Sequence, residues 1–563
     1  MVPAPEAAAH CGCFTVWPVD GNPSRDQDPG FGSQQSVTTG YRLACDKGCR
    51  SEVAPDGRQG DAIVVTRTLA ARGTACALAA VVTIGLSASI PPPAPAAPSH
   101  PAPPTARHAT PVTRDAQAKA GRSSTPHFIK KVSRNGRYFL DQKGRPVMLR
   151  GDTAWGLVFN AGRYRGGTTW RSDIKGYLTA RANKGFNTVY VAALGNTINQ
   201  GKYDSGATWD GVSPWVGGST RDIGPHVGTL RDAYWKRVDY LLKTAKAAGV
   251  TVMLDVIYGD DIWENGRPGA MSDHGEYPTD AQMTRYGRML GNRYRAYPNL
   301  IWMIGGDYWG NADAKVARTL RAIRNAGAKQ LISVENWDHS SSYSTGLGRT
   351  FAQWADVYSY APTYRWCQRA WAKKTRPLVW SDGYYDKHSG ASNNLLYRQE
   401  VGWALTSGSR GSVYGAEDVW GWGSGSLSAV RHPGPAARQM VAAWKAVSRL
   451  AHWYRLVPDF GSGRVLRGDR GTKITSDVEY TKPTNDYITG SITRDGSLAL
   501  IYLPRGGTAH VTWAHLAKHH RTAKWLDPTN GNLRRAKAGR SSYAAPRDNA
   551  AGQPDWYLVL RAR

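Results

Sequence analysis

Between Val147 and His452, short apolar runs alternate with longer amphipathic stretches, and this alternation constrains the fold more than any other feature of the chain. The runs lie at about 147–151, 187–194, 250–259, 300–304, 330–337, 355–362, 376–383 and 411–420. Each has strand length, and a continuous apolar run suits a strand buried on both faces. Helices are predicted at about 170–184, 230–248, 280–297, 312–326, 394–407 and 436–452. Strands that alternate with helices imply a parallel sheet covered by those helices. Eight such units over roughly 300 residues predict an α/β fold, a (β/α)8 TIM barrel over residues 127–454.

The texture differs on both sides. From about Leu456 the chain reads as short strands in YITGSITRDGSLALIYLP, HVTWAHL, AKWLDPTNG and DWYLVLRAR, with hairpin turns at Asp495-Gly496 and Asn530-Gly531. A small all-β sandwich is expected over residues 455–563. Ahead of the barrel, Asn135-Gly136 and Lys143-Gly144 mark the turns of a small hairpin. Residues 1–63 show no periodicity and read as a disordered extension or the product of an upstream start codon. In residues 64–98, Arg67 and Arg72 precede the apolar core ACALAAVVTIGLSASI, the pattern of a secretory signal peptide. A membrane anchor through residues 74–90 is the alternative, and about 17 apolar residues make a marginal span. Residues 99–126 form a Pro/Ala-rich linker. Either way, the remainder is expected to be secreted or extracellular.

Net charge is +29, from 72 Lys and Arg against 43 Asp and Glu. The basic residues are scattered and no phosphate-cradling loop occurs, so a solvated basic surface is preferred and no nucleic acid is expected. There are 22 Trp and 28 Tyr but 8 Phe. Trp and Tyr offer an apolar face with a polar handle, which suits sugar rings. Cys11, Cys13, Cys45 and Cys49 could bind zinc or pair as disulfides, although neither pair has zinc-finger spacing. No histidine or carboxylate grouping argues for a metal, and no cofactor is expected.

Candidate chemistry sits at the ends of the strands, where a barrel builds its active site. In NLIWMIGGDYWG the glycines are expected to end the strand and leave Asp307 among Tyr308 and Trp309. The alternative for Asp307 is a loop aspartate capping the next helix. Asp382, in LVWSDGYYD, follows the seventh strand beside Tyr385. Glycoside hydrolysis uses two carboxyl groups, and Asp307 as acid/base with Asp382 as nucleophile supplies them. Glu335 and Glu417 are substitute nucleophiles or binders of sugar hydroxyls. Asp152 and Trp155 form a sugar-binding pair, with a structural cap as the alternative for Asp152. Asn196, Tyr258, Trp309, Trp337, Tyr360 and Trp420 are candidate pocket walls.

RGDTAW, ARANKGFNTVYV, NLIWMIGGDYWG, the stretch from Pro377 to Asp386 and RQEVGWALTSGSRGSVYGAEDVWGW together resemble the apiosidase-like glycoside hydrolases. The tail, with SLALIYLP and AKWLDPTNG, resembles the β-domain labelled collagen-binding that often follows in that family. The resemblance implies that the Asp of Gly-Gly-Asp, here Asp307, is the acid/base. It implies a nucleophile in a Glu-Pro-x-Tyr-Glu pattern, where this chain has Asp382 and Asp386 in place of both glutamates. The implied activity is release of a terminal sugar from a plant-type polysaccharide side chain, by a retaining mechanism. Its partners would be a polysaccharide or oligosaccharide, with an extracellular matrix or cell-wall glycan as a further one. The alternative is a non-catalytic carbohydrate- or matrix-binding protein on the same barrel.

Overall fold

The structure is a computed structural model. It describes residues 127–563 apart from 165–168, 197–199, 204, 222–225, 260–270, 272–277, 309, 311, 337–339, 374–375, 388–393 and 478–480. The expectations for residues 1–126, including the leader, the linker and the paired cysteines, lie outside the described residues.

Eight parallel strands form the barrel: β1 (Leu149–Thr153), β2 (Thr188–Ala192), β3 (Thr251–Tyr258), β4 (Leu300–Tyr308), β5 (Ile332–Asn336), β6 (Ala355–Tyr358), β7 (Leu378–Asp382) and β8 (Gly411–Ala416). Their order around the wall is β5-β4-β3-β2-β1-β8-β7-β6. Side chains bridge the seam between β5 and β6. Ser342 Oγ donates to Val334 O (2.6 Å) and accepts from the Asp356 amide (2.9 Å). Gln353 closes the lower end with both its backbone N–H and its side-chain oxygen on Ile332.

The strands alternate with helices α1 (Trp170–Lys184), α2 (Asp232–Ala248), α3 (Asp280–Tyr294), α4 (Asp313–Asn325), α5 (Gly346–Phe351), α6 (Thr363–Lys373), α7 (Asn394–Thr406) and α8 (Pro435–Ser448). Local chemistry sets their ends. Thr169 and Ser172 form a reciprocal capping box at α1, and Thr279 and Gln282 form one at α3. The N-terminal three-stranded hairpin closes the bottom of the barrel. Phe139 packs edge-on against Trp354 at 5.3 Å, and the Ile129 amide reaches Thr251 Oγ1 at the foot of β3.

Two expectations need correcting. The glycines after Ile304 do not end β4, which continues to Tyr308 through a bulge. Helices α5 and α6 were not foreseen. The α6 stretch TYRWCQRAWAK has a buried face of Tyr364, Cys367 and Ala370 at three-residue spacing, partly hidden by bulky Trp and Arg on its other sides.

The C-terminal domain is built on a six-stranded antiparallel sheet: β9 (Leu456–Pro458), β10 (Thr489–Thr493), β11 (Leu498–Leu503), β12 (Thr522–Leu526), β13 (Leu533–Ala536) and β14 (Trp556–Arg561), in the order β9-β10-β11-β14-β12-β13. A ribbon of Thr508–His510 and Ser542–Ala544 lies in the second layer. The side-chain alternation of β11 divides between two cores. Leu498, Leu500 and Tyr502 join the core of the barrel, while Ala499, Ile501 and Leu503 join the core of the sandwich. At the junction Arg398 of α7 pairs with Asp555 at 2.8 Å, both fully buried, and Tyr502 OH donates to the same carboxylate (3.2 Å). Gly402 is required there, because a Cβ would come within 2.4 Å of the Tyr502 ring.

Candidate active site

Each of the strands β3 to β7 carries one carboxyl group: Asp255, Asp307, Glu335, Asp356 and Asp382. Solvent reaches two of them. Asp307 and Asp382 are half-buried, whereas Asp255, Glu335 and Asp356 are each 1% exposed.

The bulge in β4 aims Asp307. Between the pairs Ile304–Val334 and Tyr308–Asn336, Gly305, Gly306 and Asp307 stand opposite the single residue Glu335. Gly306 has φ +57° and Asp307 has φ +69°. A left-handed non-glycine residue costs roughly 1–2 kcal/mol and persists where its surroundings fix it. Those surroundings include Tyr258, whose OH donates to Asp307 Oδ2 (3.2 Å) and whose ring occupies the space a Cβ on Gly306 would need.

Asp382 is held in a similar way. Tyr385 OH lies 3.5 Å from Asp382 Oδ2 and accepts from Trp155 Nε1 (3.2 Å). Trp155 also packs edge-on against Tyr258 at 5.7 Å and Tyr190 at 5.8 Å. A continuous chain therefore runs Asp307–Tyr258–Trp155–Tyr385–Asp382. Tyr358, the last residue of β6, lies near both. Burial raises its phenol pKa, and the charges of Asp307 and then Asp382 raise it further, so both carboxylates act on one ring.

The buried carboxyls behave differently. Both oxygens of Glu335 lack a hydrogen-bond partner among the described residues. Burial pushes its pKa well up, and the neighbouring charge of Asp382 adds to this. Burial alone raises Asp255, and it raises Asp356 to about 8. Glu400 of α7, under the Tyr384 amide, is raised by burial and then by Asp382. Burial thus shifts four acids beside the two solvent-reached ones toward their protonated forms. Enclosure away from solvent and a shift toward the protonated form, which donates a hydrogen bond, argue against Glu335 as the substitute nucleophile.

The structure thus brings together Asp307, Asp382, Trp155, Tyr258, Tyr385 and Glu335. Trp420 joins them with its ring 6.4 Å from Tyr385 and its buried Nε1 without a partner among the described residues. Tyr360 adjoins through its OH, 3.2 Å from Tyr358 OH. Asn196 is buried beyond β2, its carbonyl accepting from the Gly201 amide. Glu417 lies near Asp386 and Tyr397, its amide bonded to Asp386 O (2.9 Å). Asp152 needs correcting: it faces the helix layer, fully buried, with Oδ2 taking Tyr177 OH and Arg181 Nε, both at 2.6 Å. It braces α1 against β1 through side chains in the middle of the helix, a role that is neither the sugar-binding one nor the cap. Trp309 and Trp337 lie outside the described residues. Sequence reasoning missed Tyr190, Tyr358 and Glu400. The first two end or line apolar strand runs and read as ordinary core.

Residues 133–462 match the model of the apiosidase-like catalytic domain. The chain belongs to the apiosidase-like family. Residues 478–561 match a second family, described as "Putative collagen-binding domain of a collagenase". No curated protein matches the chain. Among solved structures, a glycoside hydrolase family 5 protein from Bacteroides vulgatus ATCC 8482 is similar at 19% identity and TM-score 0.61, covering 77% of this chain and 93% of that one. A structure described as a glycoside hydrolase is similar at 18% identity and TM-score 0.60, covering 77% and 97%. At such identities the likeness speaks to the fold, which the apiosidase-like barrel shares with glycoside hydrolases.

Proposed function

We propose that this chain is an exported glycoside hydrolase that removes a terminal sugar from a plant-type polysaccharide side chain by double displacement. The observation that carries the reading is the chain Asp307–Tyr258–Trp155–Tyr385–Asp382, which links the two solvent-reached carboxyls through an aromatic wall. In the first step an Asp382 oxygen attacks the anomeric carbon while Asp307 gives its proton to the departing glycosidic oxygen. In the second, Asp307 takes a proton from water, whose oxygen displaces Asp382 and frees the sugar. Tyr385 orients the nucleophile. The upward shift of Glu335 supports this division of labour, since the protonated form it favours puts no second anion against Asp382 and offers a donor to a sugar hydroxyl. Trp155 and Trp420 offer ring faces and indole N–H groups for sugar stacking and hydrogen bonding. The signal-like residues 64–98 support export, and the C-terminal domain supports contact with a matrix or cell-wall glycan.

The test is sugar release from pectic and arabinose-bearing polysaccharides by the wild type and by Asp307→Asn. Loss of a general acid costs about 10²–10⁴-fold. The expected result is release by the wild type, that loss in the variant with unchanged circular dichroism, and a product that first appears with retained anomeric configuration by NMR. Equal release by both proteins would remove Asp307 from the mechanism. Glycan binding without release by either would favour the non-catalytic binder, a reading that the shorter reach of Asp382 supports.

A further inference from the structure

Between β9 and β10, residues 472–477 and 481–487 lie against the barrel instead of staying with their own sheet. They are fastened at several points. The Ile474 amide donates to Tyr364 OH (2.9 Å), and Gln399 Nε2 donates to Pro483 O (3.1 Å). Asp477 takes the guanidinium groups of Arg365 and Arg369, both on α6, and its carbonyl accepts from Trp366 Nε1 (3.3 Å). Thr481 makes the contacts nearest the mouth. Its amide donates to Tyr360 O (2.8 Å), and its carbonyl accepts from Tyr384 OH (3.0 Å). One residue of the C-terminal domain therefore ties the backbone after β6 to a side chain after β7.

The two tyrosines it ties form a unit. Their rings meet at 5.3 Å and 66°, and both are half-buried. Tyr384 is two residues beyond Asp382, and Tyr360 touches Tyr358, the ring on which both catalytic carboxylates act. We infer that the C-terminal domain completes the catalytic mouth: Thr481 and Asp477 hold Tyr360 and Tyr384 as an aromatic wall that stacks against the sugar residue next to the one being cleaved. This rests on the glycosidase reading. The ligand is a neutral pyranose or furanose unit of an oligosaccharide, because the wall offers ring faces and no free charge. Stacking rewards a ring fixed beforehand, since ordering it on binding costs affinity. Tyr360 and Tyr384 sit on connections between strands and helices, and the strap supplies the fixation that a strand would give. Tyr360 and Tyr384 are the binding wall, and Thr481 and Asp477 are positioning residues.

The experiment uses the full chain with Tyr384→Phe, which keeps the ring and removes its bond to Thr481, and with Asp477→Ala, which frees the strap from α6. Both variants should raise KM on an oligosaccharide substrate about 3–10-fold with kcat within twofold, the range of one lost hydrogen bond. A glycosyl fluoride of the same terminal sugar carries nothing in the neighbouring position, and its KM should stay within twofold. Equal losses on both substrates, or no change on either, would overturn the wall. Hydrogen exchange without substrate reads the staple by itself: the amides around Tyr360 and Tyr384 should exchange about tenfold faster in both variants. Unchanged exchange would overturn the positioning role. Faster exchange in a protein that cleaves and binds no glycan would refute the glycosidase reading and the sugar-facing role of the wall, while the staple itself would stand.

Discussion

The division between two solvent-reached and several buried carboxyls can be tested at Asp356. Its Oδ1 accepts from Trp354 Nε1 (2.7 Å) and lies 3.5 Å from Tyr190 OH, while Oδ2 has no partner among the described residues. Burial raises the group from the ordinary 3.8 to about 8. The sign follows from proton counts. Between those two values the folded protein holds a proton that the unfolded chain has released, so stability falls as pH rises. The penalty is absent below pH 3.8 and grows by about 1.4 kcal/mol per pH unit, reaching about 4 kcal/mol at pH 7. Asp356→Asn keeps the acceptor facing Trp354 and replaces the protonated oxygen with an amide that has nothing to ionise. Urea unfolding of wild type and variant at pH 4, 5.5 and 7 measures the difference. The variant should match the wild type at pH 4 and exceed it by an amount approaching 4 kcal/mol at pH 7. Other carboxyls titrate identically in both proteins and cancel. A difference that stays flat from pH 4 to pH 7 would show that Asp356 is ionised in the folded state. The same reasoning about burial at Glu335 would then fail with it.

Gly306→Ala forces a Cβ into the Tyr258 ring at a left-handed φ, and it should destabilise the protein by about 2–3 kcal/mol. Because Tyr258 must move to accommodate it, kcat should fall by more than tenfold in the protein that remains folded; an unchanged kcat would show that the Tyr258 bond does not hold Asp307 in place. Asp555→Ala leaves Arg398 buried without its carboxylate and should cost about 3–5 kcal/mol in urea unfolding. A loss under 1 kcal/mol would mean that water reaches the junction.

The barrel was legible because its strands are buried on both faces and so stand out as apolar runs between polar helices. Asp307 and Asp382 were legible as carboxyls at strand ends among aromatics. The β4 bulge was not, because two adjacent glycines can end a strand or let it buckle, and the choice depends on the Tyr258 ring across the sheet. Asp152 was misplaced although a signal existed. It shares a strand face with Arg150, whose Nε bonds Gly185 O beyond α1, so both point to the helices. The upward shift of Glu335 depends on enclosure by distant parts of the chain. Thr481 offered no signal, since its partners lie 97 and more positions away.

The sheet whose two faces serve two cores has a consequence for the boundary between the matched families at 462 and 478. Leu498, Leu500, Tyr502, Tyr557 and Val559 cover one flank of the barrel much as another helix would. A cut at that boundary separates two sequence families but divides a single cooperative body. The shortened barrel would carry a bare greasy flank and a lone arginine, and the released sandwich would expose the other half of the same seam. Inheritance and folding thus draw different borders here. The segment that looks like an accessory module is, for the catalytic barrel, part of its outer wall.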